Sequence, residues 1–432
     1  MSRLATAAVT VFLLAVTFAA GHGEISPKVG RDLVPQYQLE SMQGFMMERR
    51  FDGWMFSGQG AFGDIETEFL GLTGSTRWRW FIYYSGVAGA KKPYLIYHRD
   101  DEAVFSGIKF YPLPYRSRNE MFQIIHDRIY AIARLICLNY SHQLNVPEIS
   151  SADAGLLEKL ASMDFKVISS GSILSFFNTR WRSSDVETHK QAAAKLDSLR
   201  PLVCAHLRQR IQKGKEVTDY DLMKFIGRQL KKLGLGQVAL SCVGVGDNTL
   251  IERYVPVKRS AARSIERDDL VYIEVSARLR KQPRSMRARL GWTFYIGEEV
   301  PEELQGQWKN IVAAADAALE ILEGYIPRKL VLQGYRVDQA ARARLGGQAH
   351  TPPRPLGFNL NPENHRFGVR FDDYMAHDDR EIIPGMGFTL EPGLYYEGLH
   401  ALRMCNNVLI QGDRSIFLSA PLQREIDAVL AP

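Results

Sequence analysis

Ile383-Pro384-Gly385-Met386-Gly387-Phe388-Thr389-Leu390-Glu391-Pro392-Gly393-Leu394-Tyr395-Tyr396 is the stretch on which the reading of the chain turns. A Pro-Gly turn leads into the apolar run 386–390, which has strand character. The run ends on one carboxylate, Glu391, and Pro392-Gly393 stops it at once. A carboxylate at the end of an apolar strand is costly to bury unless it has a partner. Alone it reads as readily as a solvated strand end. Its flanks are His377-Asp378-Asp379-Arg380 upstream and Leu402-Arg403-Met404-Cys405-Asn406-Asn407-Val408-Leu409-Ile410 downstream. They turn the reading toward a site.

Outward from that stretch, 432 residues exceed one average domain and suggest two. A hydrophobic content of 46% and a charged content of 24% are ordinary for a globular protein. The net charge of +6 is mild, and with no nucleic-acid-binding signature it implies no nucleic-acid partner. At the start, Arg3 precedes the apolar run 4–20, and Ala19-Ala20-Gly21 supplies small residues for cleavage. This predicts a leader peptide over 1–21, with a membrane anchor as the rival reading, and a secreted or periplasmic product with no membrane span remaining after cleavage. The four cysteines, Cys137, Cys204, Cys242 and Cys405, show no CxxC spacing. Export would permit disulfides, but isolated cysteines in apolar runs fit buried thiols at least as well. Asn139 heads an Asn-x-Ser sequon.

The first half alternates helical and strand patterns. A helix is predicted over 34–50, then strands at 53–56, 78–84 and 93–98, a helix over 119–138 and a strand over 165–169. Residues 176–182 read as a linker. Ser184-Asp185-Val186-Glu187 reads as a capping box opening a helix to about Gln212, and Thr218-Asp219-Tyr220-Asp221 opens another. Strands follow at 237–245, 270–277 and 291–296. Pro301 starts a helix whose Leu304, Trp308, Ile311, Ala315, Ala318 and Leu322 form one apolar stripe. Another helix covers 335–345, before a Pro- and Gly-rich loop over 346–362.

The ordered motifs resemble the creatinase, aminopeptidase P and methionine aminopeptidase superfamily, and within it the Xaa-Pro peptidase-like branch. They are Tyr272-Ile273-Glu274-Val275, then Trp292, Tyr295 and Gly297, the segment 383–396, and Arg403 with Val408. The resemblance implies an α/β (α+β) chain: a leader over 1–21, a creatinase-like domain over 28–175 and a pita-bread domain over 183–432. It also implies a homodimer.

Peptidases of that superfamily hold two divalent metals with two Asp, one His and two Glu. Such donors suit Mn, Fe, Co or Zn, and the metal pair activates a bridging hydroxide. Carried over position by position, the resemblance puts Glu274 and Arg289 at the two Asp positions. It puts Phe358 at the His, Glu391 at the first Glu and Cys405 at the second. His365 corresponds to a second family histidine, and Arg253, before Tyr254, to a third. Arginine ligates no metal and stays cationic. The expectation is therefore no metal cofactor, with Arg289 and Arg253 balancing Glu274 and Glu391. Arg253, Tyr254, Arg289 and Arg403 would then hold a peptide or small amide ligand. If catalysis persists, Glu391, His365, His377 and Glu274 are the proton carriers, in a creatinase-style C–N hydrolase or lyase. A mononuclear metallopeptidase on Glu391, Glu274 and His365 is the third reading. The cation-rich, acid-free run 278–289 reads as a solvated basic loop or as the mouth of an anion site.

Overall fold

The computed structural model describes residue 34 and residues 36–346, 352–361 and 367–432. The expected leader, 1–21, and His365 lie outside the described residues, as does part of the loop 346–362.

The first half builds one mixed sheet. Its strands are β1 (Gly53–Ala61), β2 (Ser75–Ser85), β3 (Tyr94–His98), β4 (Tyr111–Tyr115), β5 (Leu135–Leu138) and β6 (Lys166–Ser169), in the order β4-β3-β2-β1-β5-β6. Helix α1 (Gln36–Glu48) packs Leu39, Met42, Phe45 and Met46 inward, at the spacing that predicted it. The helix expected over 119–138 is shorter. After α2 (Arg118–Ile124) comes one wide turn, Ile125–Tyr130, and the chain then enters β5. Leu135-Ile136-Cys137-Leu138 is the apolar run that a strand buried on both faces requires, and it pairs in parallel with both β1 and β6. Helices α3 (Ala154–Ser162) and α4 (Gly171–Thr179) follow. The predicted linker thus begins as the end of a helix. Asn139 is buried, with its Oδ1 accepting from the Trp54 indole at 2.9 Å and the Ser170 hydroxyl at 2.5 Å. In the folded chain its sequon is a core contact.

The second half opens with α5 (Ser183–Asp197), α6 (Leu199–Gln212) and α7 (Asp219–Lys232). The single long helix expected here breaks at Ser198, because Pro201 lacks the N–H and the room that an unbroken helix needs. Asp185 closes the first turn of α5, accepting from the Arg182 amide at 2.9 Å, so the helix is capped at Arg182, two residues earlier than its Ser184 reading. Thr218 caps α7 as expected, accepting from the Asp221 amide at 3.1 Å.

These helices lie against a sheet of β7 (Leu235–Gln237), β8 (Cys242–Val245), β9 (Leu270–Leu279), β10 (Ala288–Tyr295) and the late strand β16 (Asp427–Ala428). The predicted strand 237–245 is thereby two. Helix α8 (Glu302–Tyr325) buries Trp308, Ile311, Ala315, Ala318 and Leu322, and α9 (Gly334–Arg342) follows. Strands β11 (Gly387–Leu390), β14 (Asn406–Ile410) and β15 (Ile416–Leu418) form a second small sheet. Strands β12 (Gly393–Tyr396) and β13 (His400–Arg403) form a ribbon.

One bridge joins these layers at the centre. The Gly291 amide donates to the Cys405 carbonyl at 2.9 Å, and the Cys405 amide returns a bond to Gly291 at 3.2 Å. It brings the β9–β10 hairpin against the residue just before β14. Among the described residues, no helix is long and apolar enough to cross a membrane.

Candidate functional site

Glu274 lies on β9 opposite Gly291 of β10, and Arg289 follows two residues earlier on β10 with its side chain on the same face. Glu391 follows the last residue of β11, where its amide donates to the Leu356 carbonyl at 2.7 Å. Cys405 directly precedes β14. The glycine at 291 has a local reason. A Cβ there would stand 2.6 Å from the Tyr272 hydroxyl and 3.1 Å from the Cys405 Cβ.

The convergence is tight. One Glu274 oxygen accepts from Arg289 Nε at 2.7 Å and lies 2.6 Å from Nη2 of the same guanidinium. Nη1 of Arg289 lies 3.1 Å from a Glu391 oxygen. The other Glu391 oxygen is 3.2 Å from Arg354 Nη2. The second Glu274 oxygen accepts from the Tyr272 hydroxyl at 2.9 Å and faces Arg403 Nη2 at 3.6 Å. Arg403 also stacks on the Tyr272 ring, 4.2 Å from its centroid. All of these side chains are buried.

The surroundings hold the arginines in place. The Asn407 side chain accepts from the Arg289 amide at 2.8 Å and donates to the Arg289 carbonyl at 2.7 Å. Arg342, fixed on α9 by Asp338 at 2.7 Å, donates to the carbonyls of Pro352 and Arg354 at 3.0 and 2.6 Å. That contact pins the segment carrying Arg354.

Electrostatics follow from this geometry. Burial pushes the Glu274 carboxyl up, but the combined field of Arg289, Arg403 and Arg354 outweighs it and holds the group at about 2. Burial works against charge on Arg289, and Glu274 and Glu391 more than offset it, so its pKa rises well above the ordinary value. Burial, reinforced by Glu391, pushes the Cys405 thiol far up. At neutral pH the cluster therefore holds an ionised Glu274, fixed guanidiniums and a protonated thiol.

The expected site residues divide. Glu274, Arg289, Glu391, Arg403 and Cys405 come together. Phe358 lies in the segment laid beside β11, exchanging bonds with Thr389 at 2.9 and 2.8 Å. Arg253 does not join the cluster as the expected counter-charge. Its side chain is 63% exposed, with the nearest carboxylate, Glu252, at 3.9 Å. It sits at φ +54°, in a turn that directs the chain along the surface. Tyr254 points its hydroxyl at Asp219, 3.3 Å away at the start of α7. His377 stacks on Tyr335 at 3.9 Å and bonds Asp373 at 2.6 Å, half-exposed. Neither Tyr254 nor His377 is a member of the cluster.

Three members went unread in the sequence: Arg354, Tyr272 and Asn407. A lone arginine between prolines in Thr351-Pro352-Pro353-Arg354-Pro355 was the available signal for the first. The basic run 278–289 serves two purposes. Arg280, Lys281 and Arg284 at its tip are exposed, while Arg289 at its end enters the core.

Among the described residues, Glu274, Glu391 and Cys405 can bring ligand atoms within 4.8 Å of one another. A cleft of about 400 Å³ runs between the two halves, lined by Trp54, Phe69, Phe177, Arg182, Arg284 and Met286, and none of the trio lines it.

Comparison with known proteins supports the architecture. The structure superposes on dipeptidase PepE from Mycobacterium ulcerans with a TM-score of 0.52 and 17% identity, covering 91% of this chain and 97% of that one. It superposes on the N-terminal domain of FACT complex subunit SPT16 from Cicer arietinum with a TM-score of 0.50 and 12% identity, again covering 91% and 97%. An X-Pro aminopeptidase from Thermotoga maritima MSB8 gives 0.48 at 18% identity, covering 88% and 99%. The first two likenesses speak for the fold alone, here the mixed α/β pita-bread arrangement. No curated protein matches the chain. The family model described as "Metallopeptidase family M24" matches residues 187–412, more than half the chain and the whole of the cluster. The chain belongs to metallopeptidase family M24.

Proposed function

We propose that this chain is an M24 protein that has given up hydrolysis by paired metals and binds a peptide or small amide ligand instead. The observation that carries the reading is the Arg289 guanidinium, held at contact distance from both Glu274 and Glu391. A guanidinium between two carboxylates supplies positive counter-charge there, one unit where a dication would bring two. It cannot donate a lone pair, and it cannot be deprotonated at accessible pH. The donor set does not fit two ions. Of the positions that match family ligands, Arg289 and Phe358 offer no donor, and the Cys405 thiol stays protonated beneath Glu391. Glu274 and Glu391 are neutralised by arginine rather than left open.

The proximity of Glu274, Glu391 and Cys405 favours a second reading, a single soft metal displacing Arg289. Elemental analysis of the purified protein separates the two. The expected result is no stoichiometric Mn, Fe, Co or Zn. Near-stoichiometric metal that disappears in Glu391→Ala would end the metal-free reading. A creatinase-style hydrolase draws no support from His377, which is bonded to Asp373 and stacked on Tyr335. On this reading the chain is also exported by its 1–21 leader and works as a homodimer. N-terminal sequencing of mature protein and its mass in solution test those two points.

A further inference from the structure

We propose that Arg354 and Arg403 form a binding site for a small oxyanion, a carboxylate or phosphate group, which completes the charge of the buried cluster. The proposal rests on the metal-free reading above and names the ligand chemistry of the same site. Three buried guanidiniums, on Arg289, Arg354 and Arg403, face two buried carboxylates, Glu274 and Glu391. The balance is one positive charge in excess. Glu252 is the further acid in contact, 3.2 Å from Arg354 Nη1, but its side chain is 49% exposed and water screens it.

The donors tell the same story atom by atom. Nε of Arg354 and Nε of Arg403 are buried with no hydrogen-bond partner, while Arg354 Nη1 meets the half-exposed Glu252 at 3.2 Å and Arg403 Nη2 faces Glu274 at 3.6 Å. Arg354 is 5% exposed and Arg403 2%. Buried donors so poorly matched are expensive in a protein interior. Arg354 and Arg403 reach the two carboxylates that Arg289 bridges, Glu391 at 3.2 Å and Glu274 at 3.6 Å, so they flank one place, and they repel each other across it. The arginine fork matches the paired oxygens of a carboxylate or phosphate, and an anion there would satisfy the donors and cancel the repulsion.

The test is isothermal titration of the full-length protein in chelator-treated chloride buffer at fixed ionic strength. The probes are glycyl-proline, its C-terminal amide and inorganic phosphate. Saturable binding of glycyl-proline but not the amide assigns a carboxylate; saturable binding of phosphate alone assigns a phosphate group. In either case Arg354→Gln is expected to weaken binding roughly tenfold or more, the worth of one charge-assisted fork. Arg116→Gln, remote on the surface, leaves it unchanged. Should Arg354→Gln fold poorly, Arg354→Lys keeps the charge, loses the fork and is expected to weaken binding as well. No saturable binding by any probe, or undiminished binding in the Arg354 variants, overturns the proposal. Metal content of the same samples keeps the two readings distinguishable. Metal-free protein that binds no oxyanion sinks only this inference, whereas stoichiometric metal sinks the reading beneath it.

Discussion

Removing the Arg289 side chain would leave Glu274 with the Tyr272 hydroxyl and a more distant Arg403, and Glu391 facing Arg354. Breaking a buried pair from one side typically costs about 3–5 kcal/mol, because the surviving charge is stranded. Arg289→Met is therefore expected to destabilise by up to about that much in urea unfolding, and Arg289→Lys, which keeps a positive charge between the carboxylates, by less. A cost in Arg289→Lys as large as that in Arg289→Met would show that charge is not what the arginine supplies. Acid brings out the same pair. Glu274 titrates at about 2 when folded, against an ordinary value of 4.5, so the unfolded chain takes up its proton first as pH falls. The resulting stability, roughly 3 kcal/mol from the size of the shift, is complete above about pH 4.5 and drains away between there and pH 2. The stability gap between wild type and Glu274→Gln should shrink across that window; a gap independent of pH would contradict the depressed titration.

At the scale of elements, the cluster exists because a hairpin, a strand end and a proline-rich segment are clamped together by bonds that sequence patterns do not display. Asn407 reaches from β14 to both backbone groups of Arg289. Asn407→Ala would leave those buried groups unmatched, and it is expected to cost about 1–3 kcal/mol. If its thermal midpoint matches wild type, the clamp is not what sets the hairpin. Gly291→Ala is expected to be worse than a usual strand substitution, since its methyl would meet the Tyr272 hydroxyl and loosen its bond to Glu274.

What could be read in advance follows the same division. Glu274, Arg289 and Arg403 sit in strands with fixed register, and Glu391 and Cys405 directly at strand ends, so motif order was enough to assemble them. Arg253 and Arg354 sit in irregular chain, where a side chain's direction depends on turns and on bonds such as Arg342 to the Arg354 carbonyl. The wrong arginine was credited with the counter-charge, and the excess charge went unseen. Local patterns failed in the same way at 119–138. A helical repeat ran on in the sequence through residues that β1 recruits as its parallel neighbour.

Across the whole molecule, a few charged contacts tie the first sheet and its helices to the later half. Arg49, at the end of α1, grips Glu381 with Nε at 2.7 Å and Nη2 at 2.5 Å, both side chains largely buried. Asn145 bonds Asp379 at 2.9 Å and Arg370 bonds Glu148 at 2.8 Å. Arg49→Ala is expected to cost about 1–3 kcal/mol as a lost charged fork, and to separate the unfolding of the two halves into distinct urea transitions. A single unshifted transition would mean that the apolar contacts alone hold them. Cys405, lying beneath Glu391 with its sulfur 3.5 Å from the Arg289 carbonyl, offers a clock for such loosening. An alkylating reagent needs a thiolate it can touch, and here it finds neither until the strands part. Half-buried Cys204 should be labelled first and Cys405 well after it, at a pace set by how often the interior breathes.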